Sequence, residues 1–350
     1  MDQEVISDSP ETSTRRNLAR GVALTSMRTS AIPATMKAAA VAGFGPPSAL
    51  KLRELPVPQP RPHEVLIAVH VAGIGTWDAA IRDGSWRAPG PAKFPLVPGV
   101  DGAGIVVAKG ARVRRFAVGD TIYAYEFGNR SGGFYAQFAV ADAAHVGLVP
   151  RGLGMSAAGA VAATGLTAMQ GIDRLELRPR HTILIFGATG AVGTLAVQFA
   201  VQRGAYVIAT ASGTAAVRLV KKLGASKTID ARDLESIEQL REFAPQGLDR
   251  VLALAGGKAL ERCLDFVHPR GRVAYPNGIE PEPAARRTFR ISSFDAVANP
   301  GEFVKLQRRF DAGKIRVPIA AIYPLARAAD AHRQIERGHV LGRMVLRVRR

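Results

Sequence analysis

The chain has 350 residues, 47% of them apolar, with a formal net charge of +18 at neutral pH. This length predicts roughly two domains; no apolar run is long enough to cross a bilayer, so membrane insertion is not expected and a cytoplasmic location is. The single cysteine, Cys263, excludes an intramolecular disulfide framework and any zinc site built from several thiolates.

Residues 1–35 mix Asp2, Glu4, Asp8 and Glu11 with Ser and Thr, then add Arg15, Arg16 and Arg20 without sustained periodicity. They read as a disordered N-terminal extension. The run from Thr14 to Leu18 resembles a twin-arginine export signal, but Arg28 cuts short the apolar stretch such a signal needs. Met36 is an alternative start. From there short strands are predicted at 37–41, 50–55 and 65–72, and prolines at 56, 58, 60 and 62 keep that segment extended and off any central strand. Thr76 is expected to cap a short helix through Ile81, ahead of a Gly/Pro-rich loop over 84–99. Strands at 103–108, 121–125 and 134–141 complete the texture of a small, partly open β-barrel.

After Pro150 the periodicity changes. An Ala-rich helix is predicted over 156–172, then strands at 182–186, 206–211, 227–229, 249–255 and 271–275 alternate with helical segments, the pattern of a doubly wound parallel sheet. From about Phe303 the pattern is helix, turn, helix and a last strand at 344–348, expected to return to the first domain. The organisation expected is α/β: a discontinuous barrel domain, 36–157 and 298–350, interrupted by a parallel-sheet domain, 158–297.

The stretch from Ile183 to Gly193, ILIFGATGAVG, carries the chemistry. Four apolar residues read as a strand buried on both faces, glycines follow at 187, 190 and 193, and an apolar helix begins where they end. Unpaired amides at the positive end of a helix dipole bind a pyrophosphate when no Cβ blocks its approach, and Gly190 and Gly193 would remove that obstacle. Ala188 stands where the Rossmann fingerprint has glycine, and a structural glycine turn is the alternative reading. The cofactor candidates here are Gly187, Ala188, Thr189, Gly190, Ala191, Val192 and Gly193.

About 20 residues further on, an acid would recognise a bare ribose diol. Ser212 occupies that place, with no acidic residue between Glu176 and Asp230, whereas Arg203, Arg218, Lys221 and Lys222 are present. A hydroxyl and a guanidinium suit a 2′-phosphate, so Ser212 and Arg218 point to NADPH ahead of NADH. The competing reading makes Arg218 and the two lysines a solvated helix face.

From Met36 to the C-terminus the chain resembles the medium-chain dehydrogenase/reductase superfamily, in particular its zinc-free quinone oxidoreductase branch. The resemblance rests on AGIGTWDAAIRDG (72–84), PGVDGAG (98–104), VGD (118–120), GLTA (165–168), IFGATGAVG (185–193) and GHVLGRMVL (338–346). It implies a GroES-like barrel domain, a Rossmann NADP-binding domain, a homodimer, and hydride transfer from NADPH to a quinone or an α,β-unsaturated carbonyl. It also adds Thr164 and Arg343 to the cofactor set. Zinc enzymes of the superfamily place a ligating Cys where this chain has Gly75, and His-Glu where it has Val100-Asp101. Gly and Val offer no lone pair, and the four-cysteine lobe is absent, so no zinc is expected.

The same branch often has Asn at the place of Gly75 and Tyr at that of Trp86. Thr76, Trp86 and Tyr125 are taken as catalytic candidates, with Asn129 a further one. Trp86 serves either as an indole donor or as a pocket wall; Thr164 either approaches the nicotinamide or bonds its own helix. Asp78 and Arg82 match the family's Asp and Arg, with a structural role for Asp78 equally open. A second reading is a catalytically weak cofactor-binding protein whose basic surface binds RNA or another polyanion. Because the basic residues are scattered without aromatic interleaving, nucleic acid ranks behind a small-molecule partner.

Overall fold

The computed structural model describes residues 32–88, 90–128 and 131–349; the expected extension up to residue 31 and the candidate Asn129 lie outside them. Strands β1 (Thr35–Ala40) and β2 (Lys51–Pro56) form an antiparallel pair. The barrel is organised around β3 (Glu64–Ile74), eleven residues long and buried at all but one position. One edge of β3 pairs along its length with β4 (Asp101–Lys109), which continues through β5 (Thr121–Tyr125). Its other edge is shared: β6 (Phe138–Asp142) takes the first half, and β7 (Val146–Leu148) closes on β5. The strand expected at 134–141 starts later than read, because Phe134 and Tyr135 hydrogen-bond to Gly99 and Pro98 in a loop while their rings fill the barrel core.

The helix Met155–Arg174 leads into a six-stranded sheet. Its strands are β8 (Thr182–Phe186), β9 (Tyr206–Thr210), β10 (Lys227–Ile229), β11 (Leu248–Ala253), β12 (Val267–Pro276) and β13 (Arg290–Phe294), in the order β10-β9-β8-β11-β12-β13 and parallel throughout. Strands β8 and β9 are buried on both faces over most of their length, which is why ILIF and VIA read as unbroken apolar runs, and β11 ends in the same way after Asp249 and Arg250. The chain departs from β8 in both directions, so the crevice of the sheet opens at the end of β8.

Finally β14 (Ile319–Pro324) pairs with β15 (Arg343–Arg347), and β15 runs antiparallel to the second half of β3. The fold is thus α/β, a discontinuous GroES-like barrel joined to a Rossmann-like parallel sheet. Neither β13 nor β14 was legible: both are edge strands, and RISSF and IAAIYP bury too few side chains to impose a pattern. A single bridge, Gly190 to Gly342, ties the glycine turn to the strand that returns to the barrel.

Candidate active site

The turn after β8 delivers the head of the next helix to the cleft. Gly187 sits at φ +81°, in the left-handed region open to glycine, and the helix Ala191–Gln202 starts after Gly190 with no side chain capping it. A Cβ at Gly190 would meet nothing closer than Gly187 O at 3.6 Å, so this position faces open space. Gly193 has a different task from the one expected of it. A Cβ there would lie 2.2 Å from Gly187 O and 2.6 Å from Ala188 Cα, so this glycine lets the helix pack on the turn. Gly187, Gly190, Ala191, Val192 and Gly193 line a cleft of about 1040 Å³, while Ala188 is buried beneath them and Thr189 is turned to the last strand, its carbonyl accepting from Gly342 N at 2.8 Å.

The end of β9 differs from the sequence reading. The hydroxyl of Ser212 donates to the carboxylate of Asp230, which also pairs with Arg232 at 3.3 Å. An acid is therefore present where none was expected, because β10 lies beside β9 and delivers a residue 18 positions later to the same edge. These bonds, Arg232 before Ser212, hold the Asp230 carboxyl below its ordinary range against the opposing cost of burial. Arg218 is exposed on the outer face of the helix Thr214–Lys222, and neither it nor Ser212 lines the cleft.

Across the cleft a buried ionic frame supports the start of the helix Thr76–Asp83. Its N-cap is Gly75 and not Thr76: Asp78 accepts from Gly75 N at 2.7 Å and from Val100 N at 3.0 Å, tying two loops together. Asp101 accepts from Arg343 Nη2 at 2.7 Å and from Ala163 N at 3.2 Å. Burial pushes the Asp78 carboxyl up to about 6 despite the pull of Arg343, and raises Asp101 in the same way. Arg343 Nη1 lies 2.9 Å from where a Cβ on Gly75 would stand, so a cation occupies the space beside that backbone. Arg343 also lines the cleft, while its Nε is buried and makes no hydrogen bond to the protein.

The remaining wall is aromatic. Trp86 tilts against Phe127 at 4.4 Å between ring centroids, and Trp77 packs edge-on to both, 6.3 Å from Trp86 and 5.3 Å from Phe127. Trp86 is thus placed as a wall of the pocket. Tyr125 stands beside this group, 6.3 Å from Phe127 between centroids. Burial, with the charges of Asp101, Asp295 and Asp78, raises its hydroxyl well above the ordinary tyrosine range. Thr164 lines the cleft but spends its proton on Ala160 O at 2.7 Å, the bond of a threonine inside a helix.

Thr76, Trp86 and Tyr125 therefore share one cleft with Thr164, Arg343 and the glycine turn, whereas Ser212 and Arg218 stand apart from its lining. Sequence reasoning missed Trp77, Phe127 and the pair Asn277–Asp295, hydrogen-bonded at 2.9 Å in the cleft wall. Trp77 could have been found, since the chain has only two tryptophans and they lie nine residues apart around one short helix. Asn277 and Asp295 carry no local signal.

A glycine turn between a parallel strand and a helix, facing a barrel domain across a cleft, is an arrangement that suits a dinucleotide-dependent oxidoreductase. Residues 61–151 match the alcohol dehydrogenase GroES-like domain and residues 223–346 the zinc-binding dehydrogenase family. The quinone oxidoreductase of Mus musculus is 30% identical over 328 residues, which span 89% of this chain and 97% of that protein. Alcohol dehydrogenase 1 of Emericella nidulans is 28% identical over 331 residues, 85% of this chain and 94% of that one. Among solved structures, a mycobacterial protein complexed with NADPH superposes with a TM-score of 0.78 at 26% identity, covering 89% of this chain and all of the other. The chain belongs to the medium-chain dehydrogenase/reductase superfamily and is an oxidoreductase of that family.

Proposed function

We propose that this protein is a zinc-independent, NADPH-dependent reductase that delivers hydride to a quinone or to the β-carbon of an α,β-unsaturated carbonyl. The observation that carries the reading is the meeting, in one cleft, of the uncapped head of the helix Ala191–Gln202, a protonated Tyr125 hydroxyl and an aromatic wall. Reduced nicotinamide, when bound, supplies the hydride from its C4.

The residues of the chain do the rest. Amides at the head of the helix Ala191–Gln202 hold the diphosphate, with Arg343 a cation in the lining of the same cleft. Trp86 and Phe127 offer a flat apolar face to a conjugated acceptor and keep water from it. Tyr125 donates a hydrogen bond to the acceptor oxygen as that atom gains negative charge, and a proton from it or from water completes the reduction. No metal ligand is called for in this scheme, and the groups at the place of the expected ligands fit none. Gly75 and Val100 present only backbone and alkyl groups, the Arg343 guanidinium fills the space a side chain at Gly75 would take, and the Asp101 carboxylate is held by Arg343 and by Ala163 N. The 2′-phosphate would sit by Ser212, where the exposed Arg218 offers a cation and the Asp230 carboxylate, partly offset by Arg232, opposes it; the mycobacterial relative solved with NADPH supports the choice of NADPH.

The test is NADPH oxidation by the purified protein with a panel of quinones and enones, with and without a chelator. Turnover unaffected by chelation is expected. The reading fails if no acceptor is reduced although NADPH binds, or if chelation abolishes activity and zinc restores it.

A further inference from the structure

A second cavity of about 500 Å³ lies in the barrel domain behind the aromatic wall, within the size range of small-molecule pockets. Trp86 and Val100 belong to the linings of both this chamber and the reaction cleft, so the indole is the partition between them. The chamber's inner surface is aliphatic and aromatic, with Phe44, Ile81, Leu96 and Val97 among its lining residues. Its charged lining groups are of two kinds. Glu126 is already committed, accepting from Asp142 N at 2.9 Å and paired with His145 at 3.0 Å. Arg87 and Lys93 are exposed on the loop that covers the chamber, and Arg87 is steadied over the Phe44 ring at 4.7 Å and by Gly84 O.

An apolar chamber that shares the Trp86 indole with the reaction cleft, and has two exposed cations among its lining residues, fits a hydrocarbon tail that ends in an anion. We propose that this chamber holds the tail of the acceptor, so that the preferred substrates are straight-chain enones or quinones whose alkyl chain ends in a carboxylate or similar anion. The proposal rests on the reading of the cleft as the site of reduction. It adds what decides between acceptors: the conjugated head lies against Trp86 and Phe127, and the chain passes the indole into the chamber.

The test uses binding as well as turnover. Both tryptophans of the chain line the cleft, so their emission reports on either space. Titration with octanoate, decanoate and dodecanoate should show affinity rising about fourfold per methylene. Leu96→Phe, which narrows the chamber, and Ala92→Phe, an exposed position at its rim, should each flatten that dependence. Lys93→Glu should weaken alkanoates severalfold and leave alkanols of equal length unchanged. With n-alkyl vinyl ketones, kcat/KM should climb with chain length in the wild type and not in the Phe variants. Length-independent binding in the wild type, or an unaltered slope in both Phe variants, would overturn the proposal. Length-dependent alkanoate binding with no reduction of any acceptor would leave the chamber as a tail site and remove the reductase reading instead.

Discussion

The hydroxyl of Ser212 is given to Asp230, a carboxylate that reaches it from the neighbouring strand. If the adenosine ribose is bound beside Ser212, the charge on Asp230 opposes a 2′-phosphate, and Arg232 only partly offsets it. Like charges a few ångströms apart at a solvated edge cost on the order of 1 kcal/mol, about fivefold in affinity. Asp230→Asn is therefore expected to tighten NADPH about fivefold and to leave NADH nearly unchanged, whereas Ser212→Asp should weaken NADPH and favour NADH. Fluorescence titrations with both nucleotides check this; equal effects on the two would place the 2′-phosphate elsewhere.

Two glycines three residues apart separate binding from folding. At Gly190 φ is −75° and the space ahead is open, so Gly190→Val should keep a near-native melting temperature while losing dinucleotide affinity by at least tenfold. Gly193→Ala drives a methyl into the carbonyl of Gly187 and should destabilise by roughly 1–3 kcal/mol, as overpacking does. Thermal melts and calorimetry on both variants decide; a Gly190→Val protein that binds NADPH like wild type would remove the diphosphate from this turn.

How much of this was readable depended on where each signal lies along the chain. The glycine turn is local: strand, turn and helix are contiguous from Ile183 to Gln202, and their spacing reports their contact. Most buried strands declared themselves by unbroken apolar runs. The separate tasks of Gly190 and Gly193 were not visible, because they depend on which direction a missing Cβ would have pointed. The carboxylate at Ser212 was invisible for another reason: strand order in a parallel sheet is a long-range fact, and Asp230 becomes a neighbour only once β10 pairs with β9. Arg343 and Asp101, 242 residues apart, meet for the same reason, through the return of β15 to β3.

Tyr125 can be tested apart from binding. Replacing it with Phe keeps the ring that packs on Phe127 and removes only the hydroxyl. The expected result is a fall in kcat of about a hundredfold with an unchanged NADPH dissociation constant. Because the hydroxyl is held well above its ordinary range, the wild-type kcat should show no loss from tyrosine ionisation up to about pH 10. A Phe variant with wild-type kcat would pass the role of donor to another group, with Thr76 the next candidate exposed in the cleft.

Below the cleft, Asp78 and His332 bend the pH dependence of stability in opposite directions. His332 is buried between Arg82, 3.3 Å from its Nδ1, and the Tyr135 hydroxyl, 3.2 Å from its Nε2. A guanidinium can only donate, so the Arg82 contact makes Nδ1 the acceptor and Nε2–H the donor to Tyr135. Burial, then the charge of Arg82, lowers His332 to about 3. The unfolded chain therefore takes up a proton near pH 6.5 that the native state refuses, and stability falls as pH drops from 6.5 toward 3. Asp78 has the reverse sign. Its native value near 6 lies above the unfolded one, so its carboxyl is protonated first in the folded state. Stability from this group is full below pH 4 and is lost as pH rises through 6, by roughly 3 kcal/mol. His332→Gln should remove the acid-side loss, so that its melting temperature exceeds its own neutral value near pH 5, where protonated Asp78 is unopposed. Asp78→Asn should do the opposite: with one acceptor oxygen for two amides it loses about 1–3 kcal/mol at pH 5, and its acid-side decline becomes steeper than that of the wild type. Thermal melts from pH 4 to 8 on the three proteins measure both slopes, and parallel curves would show that neither group titrates differently on folding.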